Sequence, residues 1–134
     1  MTKLGRIFLV DDDEITNFIH QAMIRDMDIA EKVLVAHNGQ EALNLLNQKE
    51  GKQHEPTLVL LDINMPVMNG YEFLEAFHAL EEGKKENTVI VALTSSQNPS
   101  DIDNAKNLGA TDYLNKPLKP EKIRQLLAVH FEQK

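Results

Sequence analysis

The chain has 134 residues, of which 42% are hydrophobic and 26% are charged, as is typical of one globular domain. It contains no cysteine, which excludes disulfide bonds, thiolate metal sites and a cysteine nucleophile. The net charge is −7, and lysines and arginines are scattered among acids, which argues against direct binding of nucleic acid. The sequence has no signal peptide and no apolar run of roughly 18 residues, so we expect a cytoplasmic protein that does not span a membrane.

Short apolar runs predict five β-strands. They are rich in valine, isoleucine and leucine and do not alternate with polar residues, which is typical of strands covered on both faces. The runs are Ile7–Val10, Val33–Ala36, Leu58–Leu61, Val89–Leu93 and a weaker one at Asp112–Leu114.

Helical patterns separate these runs. The first follows Asp13, a good N-cap residue, and its apolar positions at helical spacing predict a core-facing stripe. Gly109 is placed to end the fourth helix, and Pro120 to begin the fifth. The apolar positions are Ile15, Phe18, Ile19, Ala22 and Met23; Ala42, Leu45 and Leu46; Phe73, Leu74, Phe77 and Leu80; Ile102, Ala105 and Leu108; and Ile123, Leu126, Leu127 and Phe131.

The order of elements is a strand followed by a helix, repeated five times. Parallel strands need such crossover connections, so the sequence predicts a doubly wound α/β fold, (βα)5, with a five-stranded parallel sheet. The pattern occupies about residues 6–131, so we expect one domain over residues 1–134 and no output domain.

Reactive side chains follow four of the five predicted strands. In an open α/β sheet, ligands bind beyond the carboxyl ends of the strands, so these groups should converge. Carboxylates and a lysine together suit Mg²⁺ and a phosphate group, and a carboxylate can form an aspartyl-phosphate. The residues are Asp11, Asp12 and Asp13 after the first strand, Asp62 after the third, Thr94 and Ser95 at the fourth, and Lys116 and Pro117 after the fifth.

With these residues in this order, the chain resembles the receiver domains of response regulators in two-component signalling. The resemblance rests on the acid pair after the first strand, "LLDINMPVMNG" around Asp62, "ALTSS", "NAKNLGATDYLNKP" and the last helix. It covers Ile7 to Phe131 and implies the flavodoxin-like strand order 2-1-3-4-5. One departure is Met68-Asn69-Gly70, where the family commonly has aspartate before glycine.

The resemblance also implies a role for each matching residue. Asp62 would accept the phosphoryl group, and Thr94 and Lys116, with the backbone N–H of Ser95, would contact it. Thr94 and Tyr113 would act as the switch, and the Lys116–Pro117 peptide bond would often be cis. Mg²⁺ would be bound by Asp12, Asp62 and the backbone carbonyl of Asn64, with Asp11 acting mainly through a metal-bound water.

By the same resemblance, the protein would be a phosphorylation switch in a phosphorelay. A sensor histidine kinase or a histidine phosphotransfer protein would supply the phosphoryl group. The chain would catalyse only its own phosphorylation and dephosphorylation, and would signal by contact with an unidentified protein target. Asn64 and Ser96 occupy positions that vary in the family and tune the lifetime of the phosphoryl group.

Two other functions compete with this interpretation. A Mg²⁺-dependent phosphohydrolase that uses an aspartyl-phosphate needs a second aspartate two residues after the nucleophile, where this chain has Asn64. A receiver-like binding module that is not phosphorylated usually lacks one or more of the site residues, and here all are present.

Several of these residues also have simpler interpretations. An aspartate after a strand is often only an N-cap, and Asp13 is the best candidate for that role. We expect His20 to face solvent. Together with Asn17 it is an exposed candidate for contact with a kinase.

Overall fold

Five parallel strands and the helices between them account for most of the computed structural model. The structure describes residues 4–46, 56–63, 70–79, 88–94, 99–107 and 109–131. The strands are β1 (Leu4–Val10), β2 (Ala30–Ala36), β3 (Thr57–Asp62), β4 (Thr88–Thr94) and β5 (Asp112–Asn115). The helices are α1 (Glu14–Met27), α2 (Gly39–Leu46), α3 (Gly70–His78), α4 (Pro99–Asn107) and α5 (Pro120–His130).

The strands pair in the order β2-β1-β3-β4-β5, and all four pairings are parallel. The predicted doubly wound fold and its strand order are therefore confirmed. The two strands β1 and β2 begin three residues before the predicted runs, because polar residues such as Arg6 and Lys32 also pair in the sheet.

Each face of the sheet has its own hydrophobic core. Successive strand residues point to opposite faces, and here both sets are apolar, which explains the absence of alternation. One core contains Phe8, Val59 and Ile90 and is covered by residues of α2 and α3. The other contains Ile7 and Leu60 and is covered by residues of α1 and α5.

The helix ends follow the predicted local rules. The Asp13 carboxylate accepts a hydrogen bond from the Ile15 N–H and caps α1. Gly109 follows α4 with a φ of 104°, in the left-handed region that glycine adopts without steric cost. Pro120 lies at the first turn of α5. The predicted helical positions Leu80 and Leu108 lie outside the described residues.

Helix α1 is rotated relative to the prediction. Ile15, Phe18 and Ile19 are 71%, 71% and 53% exposed, so the core-facing interpretation of this stripe is wrong for them. Asn17 and His20 are buried instead, together with Ile24. The expected exposure of Asn17 and His20 is therefore also wrong.

None of the helices in the described part of the chain is long and apolar enough to cross a membrane.

The rotation of α1 can be tested with two phenylalanines in different environments. Phe73 is fully buried and stacks on Phe77, so Phe73→Ala should lower the free energy of unfolding by about 3–5 kcal/mol. Phe18→Ala should change it by less than about 0.5 kcal/mol, because Phe18 is mostly exposed. Urea unfolding of both variants measures the difference. A large loss in Phe18→Ala would show that α1 packs through its apolar stripe.

Candidate functional site

The parallel register brings the acidic residues of β1 and β3 to one edge of the sheet. Val10 pairs with Leu61, so Asp11 lies beside Asp62 one residue further along. Asp62 itself pairs with Leu93, the residue before Thr94. The carboxyl ends of three neighbouring strands therefore meet at one point, as the sequence predicts.

Asp11, Asp12 and Asp62 form a carboxylate cluster. One carboxylate oxygen from each lies within 4.8 Å of the others. Asp11 and Asp62 are buried, and Asp12 is exposed. At this separation and an effective dielectric constant of ~20, each pair of ionised carboxylates repels by roughly 3 kcal/mol. The cluster therefore needs compensating positive charge.

Lys116 supplies part of that charge. Its Nζ lies 3.4 Å from Asp62 Oδ2 and 3.7 Å from Asp11 Oδ2. The Lys116 backbone N–H donates to the carbonyl of Thr94 at 2.9 Å, and the Lys116–Pro117 peptide bond is cis. Three carboxylates and one ammonium leave a formal charge of −2, which a divalent cation would neutralise.

The neighbouring Asp13 has a different function. Its carboxylate accepts hydrogen bonds from the Thr16 hydroxyl at 2.8 Å and from the Ile15 N–H at 3.0 Å. These two bonds, with the Thr16 hydroxyl contributing most, lower the pKa of Asp13. Asp13 is the helix cap, as predicted, and Asp11 and Asp12 remain for the cluster.

The backbone and side chain of Asp11 are held by three hydrogen bonds. Its N–H donates to the Ala36 carbonyl at 3.1 Å, and its Oδ1 accepts from the Asp13 N–H at 3.0 Å. Its carbonyl accepts from Asn17 Nδ2 at 2.8 Å. Its Oδ2 is buried and accepts no hydrogen bond within the described residues. This oxygen forms an ion pair with Lys116 Nζ at 3.7 Å, so it is the Asp11 atom that faces a cation.

These residues fit Mg²⁺, which prefers carboxylate oxygens and takes one or two protein carboxylates together with water and phosphate oxygens. Asp11, Asp12 and Asp62 are the ligands that the described residues offer. The backbone carbonyl of Asn64, which is also predicted to bind the metal, lies outside the described residues. So do Ser95, Ser96, Met68 and Asn69.

The two predicted switch residues lie on neighbouring strands: Thr94 is next to the cluster on β4, and Tyr113 is one strand further away on β5. Thr94 is 5% exposed at the end of β4. Tyr113 on β5 is half-buried against the core formed with α2 and α3. The Lys106 ammonium of α4 lies 5.0 Å from the centre of the Tyr113 ring, within the range of a cation–π contact.

His20 is 8% exposed and lines a cavity of about 420 Å³ with Lys116, although it was expected to face solvent. The other lining residues are Thr16, Ile19, Pro117 and Leu118. Burial lowers the pKa of His20 below its usual 6.5, the nearby Asp11 opposes this shift, and Lys116 reinforces it.

Sequence reasoning missed the two buried polar residues of α1, Asn17 and His20. Helical periodicity ranks positions by hydrophobicity, and by that measure both belong on the solvent side. The sequence feature that could have revealed them is the spacing of positions 17, 20 and 24 by three and four residues. This spacing puts Asn17 and His20 on the same helix face as Ile24.

The fold is a parallel α/β domain with a carboxylate cluster at the carboxyl ends of its strands, and comparison with known proteins identifies its family. The family model of the response regulator receiver domain matches residues 7–128. The chain is 33% identical to two-component response regulator ORR41 of Oryza sativa subsp. japonica over 94% of both chains. It is 32% identical to regulator ORR1 of the same rice over 90% of this chain, but spans only 53% of that relative.

Solved structures agree with this assignment. The receiver domain of sensor histidine kinase PA1611 from Pseudomonas aeruginosa, with magnesium coordinated in its active-site cleft, is 26% identical with a TM-score of 0.75 over 94% of this chain and 96% of that one. The receiver domain of Saccharomyces cerevisiae Ssk1, crystallised with the phosphotransfer protein Ypd1, is 28% identical with a TM-score of 0.80. The match covers 97% of this chain and 90% of that chain. The chain belongs to the response regulator receiver family and is a receiver domain of two-component signalling.

The pKa of His20 gives a test of its burial. Because the folded-state pKa lies below 6.5, the unfolded chain takes up the proton first as the pH falls. The free energy of unfolding should therefore decrease from pH 6.5 down to the folded-state pKa. NMR titration of the His20 ring should give a pKa below 6.5, and His20→Phe should remove this part of the pH dependence. A ring that titrates above 6.5 would contradict the buried placement.

Proposed function

We propose that Asp62 accepts a phosphoryl group from a histidine kinase or a histidine phosphotransfer protein, with Mg²⁺ bound by Asp11, Asp12 and Asp62. The observation that carries this proposal is the position of Asp62 within the carboxylate cluster, 3.4 Å from the Lys116 ammonium. Receiver domains pair with histidine kinases or phosphotransfer proteins, and this chain belongs to their family.

The chemistry is the transfer of a phosphoryl group between two protein side chains. A carboxylate oxygen of Asp62 forms the new P–O bond as the P–N bond of the donor phosphohistidine breaks, and the imidazole takes up a proton. Bound Mg²⁺ would neutralise carboxylate charge and stabilise charge on the transferring oxygens. Lys116 is placed to move from the Asp62 carboxylate to a phosphoryl oxygen, and Thr94 to donate its hydroxyl to another. The backbone N–H of Ser95 completes this proposed set.

The receiver family consists generally of domains that are not true enzymes, and we propose the same for this chain. It would catalyse its own phosphorylation and the later hydrolysis of the acyl phosphate, with no external substrate. Asn64, two residues after Asp62, has no acidic proton to give to a leaving group, which disfavours a phosphohydrolase.

The exposed apolar residues of α1 form a docking surface in this proposal. Ile15, Phe18 and Ile19 lie on the helix that follows directly after Asp11 and Asp12, so a protein bound there would reach Asp62. Large exposed side chains that are grouped on one helix face mark a site of protein contact. The complex of the Ssk1 receiver domain with Ypd1 supports a partner of the phosphotransfer class.

The output would leave through α4, β5 and α5. A phosphoryl group on Asp62 would draw the Thr94 hydroxyl toward it and open space for Tyr113 to move inward. Lys106, which lies over the Tyr113 ring, would then lose or change that contact. Couplings of this kind are typically ~1–3 kcal/mol, enough to alter binding of a target protein at this face.

Incubation with acetyl phosphate and Mg²⁺, followed by intact-mass spectrometry, tests the proposed function. The wild type should gain one phosphoryl group, and both Asp62→Asn and an EDTA-treated sample should gain none. Asp13→Asn is the matched control and should be phosphorylated like the wild type, because asparagine also caps helices. If Asp62→Asn were phosphorylated as fully as the wild type, another residue would be the acceptor.

The docking surface can be separated from the chemistry by changing Ile15, Phe18 and Ile19 together to serine. Phosphorylation by acetyl phosphate should remain near the wild-type rate, because none of these residues is in the carboxylate cluster. Transfer from a phosphorylated histidine phosphotransfer protein that is active on the wild type should slow by at least about tenfold, as expected for loss of ~1.4 kcal/mol of binding. Equal transfer rates for the two proteins would rule out this surface.

A further inference from the structure

The buried hydrogen bond between Asn17 and Asp11 lies directly behind the carboxylate cluster. Asn17 is 4% exposed, and its Nδ2 donates to the Asp11 backbone carbonyl at 2.8 Å. A carbonyl can only accept a hydrogen bond, so the amide nitrogen and not the amide oxygen must face it. The bond joins the first turn of α1 to the loop that carries the acids.

Packing alone does not explain an asparagine at this position. Its Oδ1 is buried and accepts no hydrogen bond within the described residues, which is unfavourable. A leucine has the same branching and the same number of side-chain heavy atoms, and it carries no oxygen that needs a donor. What asparagine adds is a hydrogen-bond donor to the Asp11 carbonyl, so this bond is what explains an asparagine at position 17.

The carbonyl that Asn17 holds belongs to the peptide group between Asp11 and Asp12. The Asp11 N–H is held by Ala36 and its Oδ1 by the Asp13 N–H. With the carbonyl also held, the peptide plane is fixed, and with it the directions in which the two carboxylates leave the backbone. Asp11 Oδ2 makes no hydrogen bond within the described residues, and its partner is the Lys116 ammonium at 3.7 Å, so it is the atom of Asp11 that a cation could share.

We propose that Asn17 is a positioning residue for the metal site, which orients Asp11 and Asp12 through the peptide bond between them. This inference rests on the proposed function, since the cation is part of it. Residues that hold metal ligands in place typically change metal affinity by about 10–100-fold when they are replaced. Asn17 would not itself be a ligand, and its effect would pass through the backbone.

The same bond is consistent with the rotation of α1. Asn17 is held against the loop and Ile24 is buried in the core, and with this face inward Ile15, Phe18 and Ile19 turn outward. The buried amide therefore contributes both to the orientation of the cation ligands and to that of the surface proposed for docking.

A titration with MgCl₂ in the absence of any phosphodonor tests the proposal. Binding is monitored through the backbone amide NMR signals of Asp12 and Asp62. Asn17→Leu should weaken Mg²⁺ binding about tenfold. Its thermal midpoint should stay near the wild-type value, because the unpaired Oδ1 is removed while the Asp11 carbonyl loses its donor. Asn104→Leu, on the exposed surface of α4, is the matched control and should bind Mg²⁺ like the wild type. Asn17→Ala serves as the second variant should leucine prevent folding.

The outcomes separate this inference from the proposed function. If the wild type binds Mg²⁺ at the cluster and folded Asn17→Leu or Asn17→Ala binds it equally well, Asn17 is structural only and the inference is wrong. If the Mg²⁺ affinity of the Asn17 variants falls only as far as their thermal midpoints fall, the loss reflects general destabilisation and the inference is also wrong. If the wild type itself shows no Mg²⁺ shift at Asp12 or Asp62, the proposed cation site fails, and this inference fails with it.

Discussion

The repulsion among three carboxylates at one edge of the sheet is the constraint on which the rest of this structure depends. Asp11, Asp12 and Asp62 are brought within 4.8 Å because parallel strands end together, and two of them are buried. Lys116 compensates one charge, and the remaining −2 favours a divalent cation. In the proposed function, the charges that make the site costly to fold would also hold a metal ion beside the nucleophile.

Helix α1 connects this site to the surface. Asp13 caps the helix, Asn17 ties it to the Asp11 carbonyl and Ile24 packs in the core, so polar contacts act together with apolar ones in orienting the helix. The cost is the exposure of large side chains such as Phe18. In the proposed function this face binds a partner protein, which would cover these side chains when the complex forms.

Much of the fold could be predicted from the sequence, since buried parallel strands leave uninterrupted apolar runs such as Leu58–Leu61. The strand order could not be derived from those runs and came from resemblance. The convergence of Asp11 with Asp62 was predictable, because the carboxyl ends of parallel strands share an edge. The burial of Asn17 and His20 was not, because helical periodicity follows hydrophobicity and does not register a side-chain bond to a distant carbonyl.

The central claim is that the acyl phosphate forms on Asp62 and not on the two neighbouring acids of the cluster. Borohydride reduces an acyl phosphate of aspartate to homoserine, which peptide mass spectrometry locates to one residue. After incubation with acetyl phosphate and Mg²⁺, the account predicts homoserine at position 62. Homoserine at Asp11 or Asp12, with Asp62 unchanged, would contradict it, because the cation ligands and the phosphoryl acceptor would then have been assigned to the wrong residues.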